Sequence, residues 1–310
     1  MEPPLTKRGF VVIFVLCLGS LGAAIASAQQ PPPASYDAFY AYDAALPLQP
    51  EVEVLRETPT LREEHVVFSS AHDERVPALL WLPATGQAPY PCVVTLHGIG
   101  MTKEDIRPLA ALLVPAGMAV LAYDAQYHGE RKRDAESILS PLIYRSRDAL
   151  VQTVVDGRRV VDYLLTRPEI DPQRIGLVGL SLGGILGAVL AGEEPRFKAV
   201  ALVVAGGGWG DILRLSRNAA AVALRNAGLE PAAAQAALDP VDPIHFVARI
   251  PPRPLLFING RKDEIIPVPA SEALQALAAA PSTEVQWLEA GHTLAPAAPA
   301  LLLVWLRQWL

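Results

Sequence analysis

The chain carries a serine in a setting that could make it a nucleophile. The run Gly179-Leu180-Ser181-Leu182-Gly183-Gly184 follows an apolar strand candidate and opens an apolar helical stretch. A serine in a sharp strand-to-helix turn exposes its hydroxyl, and glycines two residues to either side let the strand and the helix pass closely. A glycine-rich turn with an incidental serine would give the same pattern. The motif therefore predicts nucleophilic attack by Ser181 only if a base and an orienting acid accompany it.

Both partners follow in chain order. Asp263 and His292 each lie just beyond the end of a strand candidate, and His292 is the one histidine of six that follows Asp263. Because the carboxyl ends of parallel strands meet at one edge of a sheet, we expect Ser181, Asp263 and His292 to form a catalytic triad. Glu264 and Asp242 are rival acids, and the turn ending at Asp263 favours Asp263.

Acyl transfer also needs two N–H groups that stabilise the oxyanion. Leu182, directly after the serine at a predicted helix N-terminus, supplies one candidate. The second is expected in His97-Gly98-Ile99-Gly100, after the strand candidate 92–96, where Ile99 is our choice. His97 is interpreted as a residue that shapes this loop rather than as a second base.

Two further regions are expected near the substrate. The loop from Asp124 to Arg131 follows another strand candidate, which places Tyr127 at the predicted pocket rim; we expect Asp124 and His128 to stabilise the loop by hydrogen bonds. An apolar stretch that begins near Trp209 suggests a hydrophobic acyl pocket, although an amphipathic lid helix would bury such residues anyway. Tyr127 and Trp209 are therefore the candidate substrate-binding residues.

The elements that must position these residues alternate between β-rich and helical stretches. An amphipathic helix is predicted from about 147 to 166, and residues 207–248 exceed a single crossover, so we expect an inserted helical lid there. The pattern predicts an α/β fold, with a mostly parallel eight-stranded sheet flanked by helices after an antiparallel hairpin at 63–82. The eight strand candidates are 65–69, 78–82, 92–96, 118–123, 175–180, 199–204, 254–259 and 284–288.

The N-terminus looks like an export signal. Lys7 and Arg8 precede an uncharged run to Ala26, and Ala26-Ser27-Ala28 is a small-residue cleavage site. We therefore expect a signal peptide at 1–28, a linker and N-terminal arm at 29–62 and the α/β domain at 63–310. The protein would be periplasmic or secreted; an uncleaved leader would instead anchor it, and membrane contact is expected only in that case.

Composition excludes several classes of function. The 310 residues are 51% hydrophobic and carry a net charge of −6, without a long basic run, so we expect no nucleic-acid partner. The cleaved chain would keep one cysteine, Cys92, and hence no internal disulfide. No metal-ligand spacing and no Gly-x-Gly-x-x-Gly after the first strand is present, so neither a metal nor a cofactor is expected.

Residues 63–310 resemble serine hydrolases of the α/β-hydrolase fold, on the branch of dienelactone-hydrolase-like and prolyl-oligopeptidase-like esterases. The oxyanion loop, the segment Asp-x-x-x-His-Gly-x-Arg from Asp124, the serine turn and the acid and base positions all match. Ser181 stands where dienelactone hydrolases proper carry cysteine. The loop lacks the His-Gly-Gly-Gly run of hormone-sensitive-lipase-like esterases, and the chain has no room for a propeller, which disfavours peptidase activity.

The resemblance implies hydrolysis of a small-molecule carboxylic ester through an acyl-enzyme on Ser181. His292 would take the serine proton and Asp263 would hold the imidazole tautomer. Short- to medium-chain esters are the first expectation, and thioesters, lactones, acetylated sugars and peptides stay open. The alternative from another class is a non-catalytic envelope protein that uses the fold for binding, against which the intact set of three residues argues.

Overall fold

The computed structural model describes residue 1 and residues 35–133, 136–294 and 297–310. The chain divides into a unit of residues 1–35, nearly all of it outside the described ranges, and a unit of residues 36–310. The signal peptide expected at 1–28 and the first part of the expected linker also lie outside the described residues. Within the described ranges, no helix combines the length and apolarity that crossing a bilayer requires.

One sheet organises the second unit. Its order is β1-β2-β3-β5-β4-β6-β7-β8-β9; pairing is antiparallel from β1 to β5 and parallel from β5 through β4 to β9. The strands are β1 (Glu51–Glu57), β2 (Leu61–Ser69), β3 (Arg75–Pro83), β4 (Tyr90–Leu96), β5 (Ala119–Tyr123), β6 (Ile170–Leu180), β7 (Ala199–Val203), β8 (Leu255–Gly260) and β9 (Thr283–Leu288). The predicted fold class and all eight predicted strands are confirmed.

The sheet has a ninth strand that we did not predict. β1 lies in the segment 29–62, where we expected a linker and an irregular arm, and it pairs with β2 at the sheet edge. All seven of its residues are exposed. The alternation Glu51-Val52-Glu53-Val54 is typical of a strand, but the prolines at 47, 50 and 59 favour an irregular arm.

Helices cover both faces of the sheet. One apolar cluster contains residues of α2 and α3, and another, on the opposite face, contains residues of α1 and α8. The helix predicted at about 147–166 is α2, whose apolar stripe packs against the sheet. The helices are α1 (Arg107–Leu113), α2 (Ile143–Leu164), α3 (Leu182–Glu193), α4 (Trp209–Leu215), α5 (Ala219–Asn226), α6 (Pro231–Leu238), α7 (Val268–Leu277) and α8 (Ala297–Trp309).

The expected insertion at 207–248 is built from several short helices rather than one Ala-rich stretch. α4, α5 and α6 lie in it and are followed by three 3₁₀ turns. Asn218 caps α5 by accepting a hydrogen bond from the N–H of Ala220, and Gly228 at φ +84° ends the next turn before Pro231 opens α6. These stop and start signals divide a sequence whose alanine content alone favours one helix. α6 packs against α2.

Candidate active site

Ser181 lies in a strained turn between β6 and α3. Its backbone has φ 56° and ψ −116°, a region that non-glycine residues seldom adopt. A Cβ on Gly179 would come within 2.1 Å of the Gly183 carbonyl oxygen, and one on Gly183 within 2.1 Å of the Leu96 carbonyl oxygen. The two glycines therefore allow a chain crossing that no larger residue permits, and the crossing places Ser181 at the carboxyl edge of the sheet.

The structure brings the three predicted triad residues together. His292 Nδ1 lies 2.8 Å from Asp263 Oδ2, and His292 Nε2 lies 2.8 Å from Ser181 Oγ. Because an ionised carboxylate only accepts hydrogen bonds, Nδ1 carries the proton and Nε2 is the lone-pair nitrogen that faces the hydroxyl. This tautomer is the one a general base for Ser181 requires.

Asp263 is fixed independently of His292. It is 6% exposed, and its Oδ1 accepts hydrogen bonds from the N–H groups of Ile265 at 2.8 Å and Ile266 at 2.9 Å. The rival Glu264 instead forms an exposed ion pair with Arg217 at 3.0 Å. The turn after β8 thus directs Asp263, and not the neighbouring carboxylate, toward the imidazole.

The two expected oxyanion donors lie on adjacent loops. Ile99 follows β4 and lines the cavity beside Ser181, and Leu182 opens α3. β4 and β6 are paired in parallel register up to Leu96 and Gly179, so both loops leave the sheet side by side. Among the described residues, neither N–H has a hydrogen-bond acceptor. Both N–H groups are therefore available to a ligand oxygen.

His97 shapes the loop, as the sequence indicated. Its Nδ1 bonds to the Gly98 carbonyl oxygen at 2.8 Å, and its Nε2 accepts the N–H of Ala125 at 3.1 Å. Since Nε2 accepts, the ring is neutral in this arrangement. Burial lowers the pKa of His97, which further favours the neutral form.

His128 fixes the same loop from the β5 side. Its Nδ1 bonds to the Gln126 carbonyl oxygen at 2.9 Å, and its Nε2 accepts the N–H of Gly100, next to Ile99, at 3.1 Å. Burial lowers the pKa of His128 as well. The expected loop-stabilising role of His128 thus takes a specific form, because its ring accepts a backbone donor only while neutral.

A buried ion pair beneath this region was not found from the sequence. Asp124, fully buried, accepts hydrogen bonds from the backbone N–H of Lys103 at 3.0 Å and from its ammonium at 2.7 Å. Glu130 also contacts that ammonium, at 2.6 Å. Burial alone would lower the pKa of Lys103, but the hydrogen bonds to Asp124 and Glu130 raise it. The polar sequence around Lys103 predicts an exposed side chain, so the ion pair between Lys103 and Asp124 becomes visible only in the folded structure.

The triad opens into a cavity of about 610 Å³. Its lining includes Ser181, His292, Ile99 and one residue of the insertion, Asn218. The cavity then continues along the sheet face that α1 and α8 cover, rather than under α4. The acyl pocket expected at the insertion is therefore not where this structure places its cavity.

The two expected substrate-binding residues do not line this cavity in the described part of the chain. Trp209 is 5% exposed, and its indole N–H donates to the Val241 carbonyl oxygen at 3.2 Å, which ties α4 into the core. Tyr127 adopts φ 62°, and its partly buried ring packs against the apolar cluster that contains residues of α2 and α3. Their roles in substrate binding stay predictions, which the lining of this cavity does not support.

No cluster of His, Cys, Asp and Glu that could hold a metal ion occurs among the residues described here. The acidic and histidine side chains near Ser181 are each bonded to backbone or to one another. The arrangement joins a serine, a histidine and an aspartate by hydrogen bonds and leaves the N–H groups of Ile99 and Leu182 without an acceptor among the described residues.

Known proteins share parts of this architecture. The chain is 28% identical to the putative hydrolase YtaP of Bacillus subtilis (strain 168) over 155 residues, which are 44% of this chain and about half, 52%, of that protein. Among solved structures, acetyl xylan esterase from Paenibacillus sp. R4 superposes with a TM-score of 0.74 at 21% identity, covering 89% of this chain and 92% of that one. Acetyl xylan esterase 1 from Thermoanaerobacterium sp. JW/SL YS485 gives 0.75 at 19% identity, with coverages of 91% and 95%.

The solved structures show the fold, and the family model shows the relationship. The sheet order, the serine turn after β6 and the chain order of serine, aspartate and histidine are those of an α/β-hydrolase. The model for the dienelactone hydrolase family matches residues 76–300, which include all three triad positions. The chain belongs to the dienelactone hydrolase family.

Proposed function

We propose that this protein is a serine hydrolase that cleaves carboxylic esters through an acyl-enzyme. The observation that carries the proposal is the continuous hydrogen-bonded series from Asp263 through His292 to Ser181, with 2.8 Å at each step, at the mouth of an apolar cavity. The residue types match the roles that acyl transfer requires, and the proposed oxyanion donors, the N–H groups of Ile99 and Leu182, have no acceptor among the described residues.

In the first half-reaction, Ser181 Oγ attacks the ester carbonyl carbon while His292 Nε2 takes the hydroxyl proton. The carbonyl oxygen becomes an oxyanion that accepts hydrogen bonds from the N–H groups of Ile99 and Leu182. Asp263 stabilises the imidazolium that forms. Collapse of the intermediate breaks the bond to the alkoxy oxygen, which leaves as the alcohol with the proton from His292.

In the second half-reaction, water takes the position of the alcohol. His292 removes a proton from the water, its oxygen attacks the acyl carbon, and the serine ester breaks as Oγ recovers the proton. The product is a carboxylic acid. No cofactor takes part in this scheme, because every proton and electron pair is supplied by the three side chains, the ester and water.

A fluorophosphonate probe and a p-nitrophenyl ester test this proposal. We expect the wild-type protein to be labelled at Ser181 and to hydrolyse the ester, and Ser181→Ala to lose both. Ser137→Ala, which removes an exposed hydroxyl, is the matched control and should behave as wild type. Ester hydrolysis that persists in Ser181→Ala, or a folded wild-type protein that the probe does not label, would refute the proposal.

We also propose that the protein is exported. The support is the leader pattern, with Lys7 and Arg8 before an uncharged run that ends at Ala26-Ser27-Ala28. Intact mass of the protein recovered from the periplasm or medium should correspond to a chain that begins at Gln29. A protein that keeps residues 1–28 and sediments with membranes would support the anchored alternative instead.

A further inference from the structure

The cavity beside Ser181 extends well beyond the space that the reacting ester group needs. Ser181 and His292 line one part of the cavity. The rest lies between α1 and α8 on one side and β6, β7 and β8 on the other. Leu109 of α1 and Leu302 of α8 lie on its two helical walls, and Val178 and Ile258 on its sheet wall. The cavity therefore connects the reacting atoms with the interior of the domain.

The inner walls are apolar and buried. Val178 is 4% exposed, Ile258 0% and Leu302 5%, and Ile106 and Ala298 are also buried. The buried polar residue Thr95 also lines the cavity, and its hydroxyl donates to the Leu121 carbonyl oxygen at 3.1 Å. Asp105 is the one carboxylate among the described lining residues; it is exposed, and its Oδ2 accepts the N–H of Thr102 at 2.8 Å. Water inside such walls would lack hydrogen-bond partners, so the cavity suits an apolar group.

We propose that this cavity binds the acyl chain of the substrate, and that the protein prefers esters of medium-chain carboxylic acids to acetate esters. The proposal rests on the proposed ester hydrolysis at Ser181 and names the substrate class of that site. The acyl chain lies along Val178 and Ile258, between α1 and α8.

The volume fits a chain of this length. A methylene group is similar in size to a water molecule, whose share of liquid volume is about 30 Å³. An acyl chain of about eight carbons would thus fill under half of the 610 Å³ and leave the entrance free for the alcohol and water. An acetyl group would leave nearly all of the apolar wall without a partner.

The order of the two half-reactions assigns the cavity to the acid part of the ester. The alcohol must leave before water can attack, whereas the acyl group stays bonded to Ser181 Oγ throughout. A chain held deep between α1 and α8 by the leaving alcohol would have to withdraw past the acyl-enzyme. The acyl group has no such obstacle, because it departs last, as the carboxylic acid formed when water adds to the acyl carbon and Oγ is released.

A chain-length series tests the assignment. p-Nitrophenyl esters from acetate to decanoate vary the acyl chain, and alkyl acetates from methyl to octyl vary the alcohol. We expect kcat/KM to rise about fourfold per added methylene, the equivalent of about 0.8 kcal/mol of burial, until the cavity is filled. Alkyl acetates should show no such rise. A flat or falling acyl series overturns the proposal, as does a rise in the alkyl series alone.

Narrowing the cavity supplies the second test. Ala298 is a buried lining residue of α8, so Ala298→Leu adds bulk inside the cavity, whereas Ala300→Leu makes the same change at an exposed position two residues further along the helix. Ala298→Leu should lower kcat/KM for octanoate at least tenfold while acetate hydrolysis stays within about twofold; Ala300→Leu should change neither. Equal losses for both esters in a folded protein would contradict the proposal.

Leu109→Phe narrows the same cavity from α1 and serves as the second variant if Ala298→Leu does not fold.

Failure of this inference is distinguishable from failure of the proposed function. If the inference alone is wrong, esters are hydrolysed and Ser181 is labelled, but the rate does not depend on acyl length. If ester hydrolysis itself is wrong, no ester of either series is cleaved faster than by Ser181→Ala.

Discussion

Gly183→Ala is expected to abolish most of the activity without touching a reacting group. A Cβ at this position would lie 2.1 Å from the carbonyl oxygen of Leu96 and 2.7 Å from that of His97. Real Cβ atoms essentially never approach within 3.0 Å, so the two backbones must separate by about 0.9 Å. The methyl group cannot swing away, because its direction is set by the main chain of α3.

The separation falls between the two proposed oxyanion donors. Gly183 directly follows Leu182, and Leu96 and His97 lead into the loop that carries Ile99. Misplacing a reacting group by about 1 Å costs on the order of 100-fold in rate, and losing one oxyanion donor costs about 100- to 1,000-fold. We therefore expect kcat for a p-nitrophenyl ester to fall by at least about 100-fold.

Gly187→Ala is the matched control on the same helix. The atom closest to its new Cβ would be the end of the Leu202 side chain, at 3.2 Å, and the nearest backbone atom, Gly179 Cα, lies at an ordinary contact distance of 3.7 Å. Alanine in a helix interior is favoured over glycine by about 0.5–1 kcal/mol, so this variant should keep its activity and gain about 1–3 °C in Tm. Steady-state kinetics and thermal unfolding of both variants give the result. Folded Gly183→Ala with activity within threefold of wild type would refute the reasoning.

Three further outcomes are expected. Asp263→Asn should lower kcat by about 10³- to 10⁴-fold, because an amide can hold His292 in the wrong tautomer; a loss under tenfold in stopped-flow assays would contradict the assigned role. Asp124→Asn should lower the unfolding free energy by about 3 kcal/mol and Tm by about 6–12 °C, since the Lys103 ammonium loses its buried partner; calorimetry showing an unchanged Tm would argue against this. Burial lowers the pKa of His97 and His128 below the unfolded value of about 6.5, so below that pH the unfolded chain binds protons that the folded chain does not. The unfolding free energy should therefore be highest above pH 6.5 and decline as the pH falls below it. His128→Gln should flatten that decline in a series of Tm measurements against pH.

The sequence was most informative at the carboxyl ends of buried parallel strands. Continuous apolar runs marked β4 to β8, and chemistry-bearing residues directly beyond them had to meet at one sheet edge. Ser181 and Asp263 follow the buried strands β6 and β8, whereas His292 follows the edge strand β9, none of whose residues is buried. Their positions beyond strand ends placed the three residues together, and the distances agree. Local chemistry sufficed because register and strand order bring such residues together whatever the length of the helices between them.

Features that depend on how helices pack could not be predicted in the same way. The cavity between α1 and α8 is a gap left by tertiary packing, and no residue type marks a gap. The burial of Lys103 depends on its pairing with Asp124, which lies 21 residues later in the chain at the end of β5. Trp209 is predicted to bind substrate because it begins an apolar stretch of the insertion, and the same apolar character suits the core cluster that it joins.

The two faces of the sheet differ in what packs against them. The face under α2 and α3 carries the larger apolar cluster, which also anchors the insertion, whereas the face under α1 and α8 contains the cavity. Val178, Ile258 and Leu302 of the cavity wall belong to the smaller cluster, so substitutions there act on that cluster rather than on the larger one. Selection could reshape substrate preference on one side while the other side keeps the domain above its folding threshold, which makes the α1 and α8 face the place to begin directed evolution of this chain.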